Sequence, residues 1–382
     1  RRRLHNALQE LRGSVRVVAR LRPPSSLLRD DAPAPAVRAG GADGRTVVLA
    51  APPRDGVDGG AKPRKLETLR FDRVFDGDAT QADVYGEIDD LVASAADGFD
   101  VCVLAYGATG SGKTHTMHGP ASGGDEAGVV PRATRALAEA ARRRGDGGWS
   151  FACEASSVEI YDEKVYDLLA PGGAALEVKD DADDPVPGAA ALPLDFGDDG
   201  RGAAQLAKRA ARSRRTAATL LNDRSSRSHA LFTLRIVGHH EAKNLKTRGS
   251  LVLVDLAGSE RLKRSGAADP GADPGRLREA CAINRSLSCL VDVFAALGRR
   301  GDGRGRGVHV PYRNSALTRI LQRPLSGDGK ALLLATCNPH EAESLGTLKF
   351  AHQVAAIETG RIARRVSSAA KRAPLGAQNK RR

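Results

Sequence analysis

Aromatic residues make up only 4% of this chain and are nowhere interleaved with its basic residues, which argues against a surface that stacks single-stranded bases. Its five cysteines, at 102, 153, 281, 289 and 337, are scattered without a C-x-x-C spacing. Neither a disulfide framework nor a zinc site is expected from them, and a reducing compartment suits them better. There is no run of about 18 apolar residues and no apolar leader at the N-terminus, so the expectation is a soluble, non-secreted protein. Methionine occurs once, at Met117, and the chain opens on Arg1, as a piece of a longer product would. What the sequence does have is length and positive charge. Its 382 residues, 41% of them hydrophobic, suffice for one large core or two modest ones. A net charge of +13 favours a polyanionic partner, but charge alone does not separate nucleic acid, membrane and acidic protein filament.

One stretch organises the rest. The apolar run Val101 to Tyr106 leads into Gly107-Ala108-Thr109-Gly110-Ser111-Gly112-Lys113-Thr114, a G-x-x-x-x-G-K-[ST] pattern directly after a buried-type strand. Glycines at 107, 110 and 112 let the backbone turn its N–H groups onto phosphate oxygens. Lys113 is then placed for the terminal phosphates and the Thr114 hydroxyl for Mg²⁺, with a helix N-terminus aimed at the same anion.

Ahead of that loop, Leu4, Leu8 and Leu11 form an apolar stripe on a short helix, either the last heptads of an upstream coiled coil or a lone amphipathic turn. Val15 to Arg22 alternates like a first strand, and Pro23-Pro24 stops it. Residues 25–65 are rich in Ala, Gly, Pro, Asp and Arg and read as an irregular excursion with one strand, Thr46 to Ala51. A short strand at 71–75 and one helix over 81–96 follow. Beyond the loop, the patterns predict a helix over 130–144, strand and turn within 151–169, an acidic surface loop over 180–202 and a basic helix over 205–215. Strand and helix alternate as in an α/β layer fold.

Two more constellations bear on chemistry. Asn222-Asp-Arg-Ser225-Ser226-Arg227-Ser-His229 is a polar loop between helix and strand, with hydroxyls beside an arginine, suited to closing over a phosphate and its metal. Leu251-Val-Leu-Val-Asp255-Leu-Ala-Gly258-Ser-Glu260 is an apolar strand ending in Asp. That places Asp255 near a Mg²⁺ shell and offers the Gly258 N–H to a γ-phosphate.

With Arg20-Leu-Arg22-Pro23, Glu159-Ile-Tyr161, Ile283-Asn-Arg-Ser-Leu287, His309 to Ser315 and Leu348 to Ala351, these motifs appear in the order of the kinesin motor domain, which the chain resembles from Val15 to about Ala356. The resemblance implies an α/β P-loop NTPase fold of kinesin type, a central mixed sheet of about eight strands flanked by helices on both faces. It implies a neck helix over 1–14, a motor domain over 15–357 and a basic tail over 358–382. It further implies a microtubule-stimulated ATPase using ATP and Mg²⁺. By position, Arg20, Arg22, Pro23 and His115 match the adenine-flanking residues, and residues 107–114 the phosphate loop, with Ala108 in place of the family's Gln. Thr114, Ser226 and, through water, Asp255 match the metal site. Ser225, Ser226 and Arg227 belong to switch I, and Gly258 and Glu260 to switch II, with an ion pair between Arg227 and Glu260.

Lys263, Arg264, Arg278, Arg285 and Arg313 match the face that meets acidic tubulin; Ala316 there replaces a usual Lys. The stretch from Arg3 to Gly13 is similar to the neck of the kinesin-14 group, which implies minus-end-directed movement, a homodimer through an upstream coil and a place on cytoplasmic microtubules or the spindle. Neither membrane nor direct nucleic-acid binding is implied, and the guanine-reading Asn-Lys-x-Asp motif is absent. A non-motile microtubule-binding scaffold and a nucleic-acid-dependent P-loop ATPase remain as other readings.

Overall fold

A computed structural model describes residues 15–23, 35–50, 66–120, 122–170, 172–195, 201–220, 226–260, 274–301, 307–326, 329–357 and 366–368. The neck stretch 1–14, Ser225, Lys263, Arg264 and the tail 358–382, apart from a three-residue strand, lie outside the described residues. The strands are β1 (Val15–Leu21), β2 (Val37–Gly40), β3 (Thr46–Ala50), β4 (Leu66–Arg70), β5 (Arg73–Phe75), β6 (Asp100–Tyr106), β7 (Trp149–Tyr161), β8 (Lys164–Asp167), β9 (Leu192–Leu194), β10 (His229–His240), β11 (Leu245–Asp255), β12 (Lys330–Cys337) and β13 (Val366–Ser368). The helices are α1 (Gln81–Gly86), α2 (Asp89–Ala96), α3 (Lys113–His118), α4 (Val129–Gly145), α5 (Arg201–Leu220), α6 (Pro274–Gly301), α7 (Ala316–Ile320) and α8 (Glu343–Ala355).

The main sheet runs β5-β1-β12-β6-β11-β10-β7-β8, with β13 on β11 and β9 on β7. Pairing is parallel from β5 to β11 and antiparallel from β11 to β8. The eight strands of the main path are the expected mixed sheet, to which β9 and β13 add two short strands. Every residue of β6 and of β12 is buried, as in parallel strands covered on both faces. Alternation then divides the core. Cys102, Leu104 and Tyr106 face α6, α7 and α8, whereas Val101, Val103 and Ala105 face α1, α2 and α4.

Three expectations change, and one strand was not foreseen. The stretch 25–65 holds two of the three strands of a small antiparallel sheet, β2-β3-β4, not β3 alone. β2 and β4 are short and rich in Gly, Arg, Glu and Thr, and only their pairing to β3 makes them strands. The helix at 81–96 is two, α1 and α2, separated at Glu87–Ile88; the buried stripe Val84, Ile88, Leu91, Val92 and Ala95 runs across the break, which hides it in the pattern. The acidic loop 180–202 includes β9 and the start of α5. β12, unread in the sequence, lies at the sheet's centre.

Leu277 to Arg300 of α6 has the length and hydropathy of a membrane span. Leu287, Leu290, Val293, Phe294 and Leu297 are buried in the domain core, which accounts for that hydropathy.

Candidate functional site

The phosphate loop leaves β6 at the edge where the parallel strands end. A side chain on Gly107 would collide with the Thr336 carbonyl at the end of β12, so the loop can pass that close only as glycine. Ser111 Oγ and Thr336 Oγ1, 2.8 Å apart, hold the loop there. Gly112, at φ 102°, sits in the left-handed region and opens α3. Lys113 is buried, and its Nζ donates to the carbonyls of Gly107 and Ala108, at 2.9 Å each. Burial pulls its ammonium below the usual lysine range, while Asp255 and then Glu260 act in the opposite sense.

A cavity of about 720 Å³ opens over this loop. Arg20, Arg22, Pro23, Thr109, Gly110, Ser111, Gly112, Lys113, Thr114, His115 and Ser226 line it, as the sequence reading requires. Gly107 and Ala108 are buried and take no part in the lining. Arg20 Nη1 donates to Gln81 Oε1 and Thr116 Oγ1, both at 2.9 Å, and Arg22 Nη1 to the Gly110 carbonyl at 2.6 Å. Gln81 was missed. It is 3% exposed, donates to the His115 carbonyl at 2.8 Å and so ties β1, α1 and α3 together. Its signal was the Thr80-x-x-Asp83 capping box, which fixes the start of α1 and puts Gln81 first in it. Glu126, also in the lining, had no sequence signal.

The metal expectation can be tested on Asp255. Its Oδ2 accepts from Thr114 Oγ1 at 2.8 Å and from Arg214 Nη1 at 2.6 Å, while its buried Oδ1 has no hydrogen-bond partner among the described residues. Burial favours the neutral acid, but the surrounding cations, Arg214 first, and the Thr114 hydroxyl hold the carboxyl below its ordinary range. A hydroxyl beside an ionised carboxylate with an unpartnered oxygen is a hard-oxygen donor set, and it fits Mg²⁺ with a water between. Arg214, unforeseen, also donates to the Ser228 carbonyl at 2.7 Å, and Ser228 Oγ donates to Glu159 Oε1 at 2.6 Å.

The two switch segments meet here. The Gly258 N–H donates to the Ser226 carbonyl at 2.9 Å, and the Ala257 N–H to His229 Nδ1 at 3.0 Å. Burial, then Arg214, pulls the His229 imidazole down to about 3, so it is neutral. The expected Arg227–Glu260 ion pair is not made among the described residues. Arg227 Nη1 pairs with Glu279 of α6 at 2.7 Å, and Glu260 accepts from Thr109 N and Oγ1 at 2.9 and 2.6 Å. Each partner is satisfied elsewhere, and the switches are joined through Gly258 and His229.

Elsewhere on α6, Arg278 and Arg285 are exposed. Arg313 is exposed too, but its Nε lies 3.3 Å from Asp180 in the acidic loop. Ala316, where the family has Lys, is buried, and its N–H donates to Glu163 Oε2 at 2.9 Å.

A phosphate loop on a mostly parallel sheet, backed by a strand-end aspartate and two hydrogen-bonded loops, defines a P-loop nucleotide-binding protein of the switch type. The kinesin motor domain family model matches residues 54–357, and the chain belongs to that family. It is 39% identical over 372 residues to the kinesin-like protein KIN-14N of Oryza sativa subsp. japonica, covering 94% of this chain and 45% of that one. With the kinesin-like protein klpA of Emericella nidulans it shares 40% over 369 residues, 93% of this chain and 45% of the relative. The chain thus spans about half the length of these relatives. Among solved structures, the C-terminal motor and motor homology domain of Kar3Vik1, fused to a synthetic heterodimeric coiled coil, superposes with a TM-score of 0.77 at 34% identity, over 92% of this chain and 88% of that one.

Proposed function

We propose that the chain is the motor domain, over 15–357, of a minus-end-directed microtubule motor that hydrolyses ATP to ADP and phosphate. The observation that carries this reading is the convergence of Lys113, the Thr114–Asp255 pair and the Ser226–Gly258 bridge on one cavity of about 720 Å³, large enough for a nucleoside triphosphate. Lys113 is the cation for the terminal phosphates, exchanging its two loop carbonyls for phosphate oxygens. Thr114, Ser226 and, through water, Asp255 would hold Mg²⁺, which would supply positive charge against the phosphates. Phosphoryl transfer of this kind rests on positioning and charge stabilisation more than on a strong base. The Gly258 N–H exchanges the Ser226 carbonyl for a γ-phosphate oxygen, and Arg227 leaves Glu279 for Glu260 as the switches close and order the water with Ser225 and Ser226. Release of the phosphate reverses both exchanges.

The filament side is α6 with Arg278 and Arg285, joined by Lys263, Arg264 and Arg313, and its partner is acidic tubulin. Dimerisation through a coil that includes Leu4, Leu8 and Leu11, and a location on cytoplasmic microtubules, complete the reading. Gliding of polarity-marked microtubules over surface-bound protein tests turnover, motility and direction together. Plus-end gliding would remove the directional part, and cosedimentation unaffected by Arg285→Glu would remove the filament face.

A further inference from the structure

The nucleotide reading gives work to Ser226, Arg227, Asp255 and Gly258 but none to His229. This residue opens β10 and is 2% exposed, between switch II and the middle of α6. Its hydrogen bonds have a forced direction. The Ala257 N–H donates to Nδ1 at 3.0 Å, so the ring proton sits on Nε2. Nε2 is 2.8 Å from Ser286 Oγ and donates to it, because the Ser286 hydroxyl proton goes to the Ile283 carbonyl at 2.8 Å. Ser286 is 1% exposed, and its neighbour Arg285 is exposed on the filament side of the same helix. One residue beyond Ala257, the Gly258 N–H is bound by the Ser226 carbonyl. Two successive N–H groups of switch II therefore end on residues 226–229, and the imidazole extends that contact into α6.

We propose that His229 is a positioning residue that couples the nucleotide pocket to the filament helix, by tying Ser286 of α6 to the Ala257 backbone of switch II. This rests on the microtubule-motor reading above. When Gly258 turns toward a γ-phosphate, Ala257 moves with it, and the imidazole carries the displacement to α6 through two buried hydrogen bonds. This side-chain path sets how strongly filament binding and nucleotide turnover sense each other. Buried polar contacts suit this role because an unmade one is expensive, which keeps the three groups moving as a unit.

The test cuts the link from both ends in the whole chain. Ser286→Ala removes the acceptor and leaves the Ala257 contact. His229→Asn puts an amide oxygen where Nδ1 stood, retaining Ala257 without reaching Ser286. In Ser286→Ala, basal ATPase and the KM for microtubules are expected to stay within about twofold of wild type, since Ser286 touches neither ligand. The microtubule-stimulated kcat is expected to fall roughly three- to tenfold, the size of one lost hydrogen bond. Ser286→Thr, which keeps a hydroxyl, should recover stimulation, and the double variant should be no worse than the more affected single one.

Stimulation as in wild type in Ser286→Ala would overturn the proposal. So would equal loss of basal and stimulated rates, or additive losses in the double variant. Should Ser286→Ala not fold, the stimulated-to-basal ratio of His229→Asn against wild type decides in the same way. A wild-type chain that microtubules do not stimulate would overturn the motor reading and this inference with it, whereas stimulated wild type with unaffected variants removes the inference alone.

Discussion

Lys113 is the residue on which the pocket depends most. It is a buried cation whose hydrogen-bond partners among the described residues are two neutral carbonyls of its own loop, an arrangement that costs about as much as it gains until an anion arrives. Lys113→Ala should therefore leave the fold intact while lowering ATP turnover by roughly 10²-fold or more, the usual effect of removing one charge-stabilising donor. Single-turnover kinetics beside a thermal melt would check both halves. His229 makes a second prediction at this scale. Its folded pKa of about 3 lies below the ordinary histidine value, so between these limits the unfolded chain binds more protons. The stability contributed by the neutral ring is complete above about pH 6.5 and is lost as pH falls, by up to about 1.4 kcal/mol per pH unit. Denaturant midpoints of wild type should fall more steeply than those of His229→Asn between about pH 7 and pH 5; parallel curves would show that the ring is not held neutral.

Among the elements, the two switches and α6 are joined without an Arg227–Glu260 contact among the described residues. Arg227 on Glu279 links switch I to α6, and Glu260 on Thr109 links switch II to the phosphate loop. On the proposed reading, closure requires Arg227 to change partner. Glu279→Gln weakens the open pair, so affinity for a γ-phosphate analogue is expected to rise roughly threefold, a modest share of a partly exposed ion pair. Glu260→Gln removes the closed partner and should lower turnover with nucleotide binding retained. Equilibrium binding of a fluorescent analogue distinguishes these outcomes; a fall in affinity in Glu279→Gln would mean that Glu279 supports the closed state instead.

Over the whole molecule, charge and burial are segregated. The +13 balance reaches solvent at Arg278, Arg285 and Arg313, whereas Lys113, Asp255 and Arg214 are buried. Salt screens the first set within about 8–10 Å and hardly affects the second. On the motor reading, microtubule affinity should thus fall steeply with added salt while basal ATPase changes little, as cosedimentation and phosphate release at matched salt would measure. A salt-insensitive complex would place the contact elsewhere.

The local signals in the chain were enough for the strand–loop–helix around Lys113 and the strand ending at Asp255, whereas Arg20 and His115 were placed beside them only by the resemblance. Such features are written in consecutive residues: an apolar run, a glycine that must approach another strand, a hydroxyl next to a lysine. Tertiary structure decided what depends on partners distant in sequence. β2 and β4 exist through pairing with β3, and the break between α1 and α2 is masked by a stripe that continues across it. Gln81, Arg214 and His229 acquired roles only when residues 34, 41 and 57 positions away came within hydrogen-bond distance. The same holds for Arg227 and Glu260, which the resemblance put together as an ion pair and the structure keeps apart. Which of them faces Glu279 and which faces Thr109 is set by how the switches pack, because an ion pair forms with whichever opposite charge the backbone brings near.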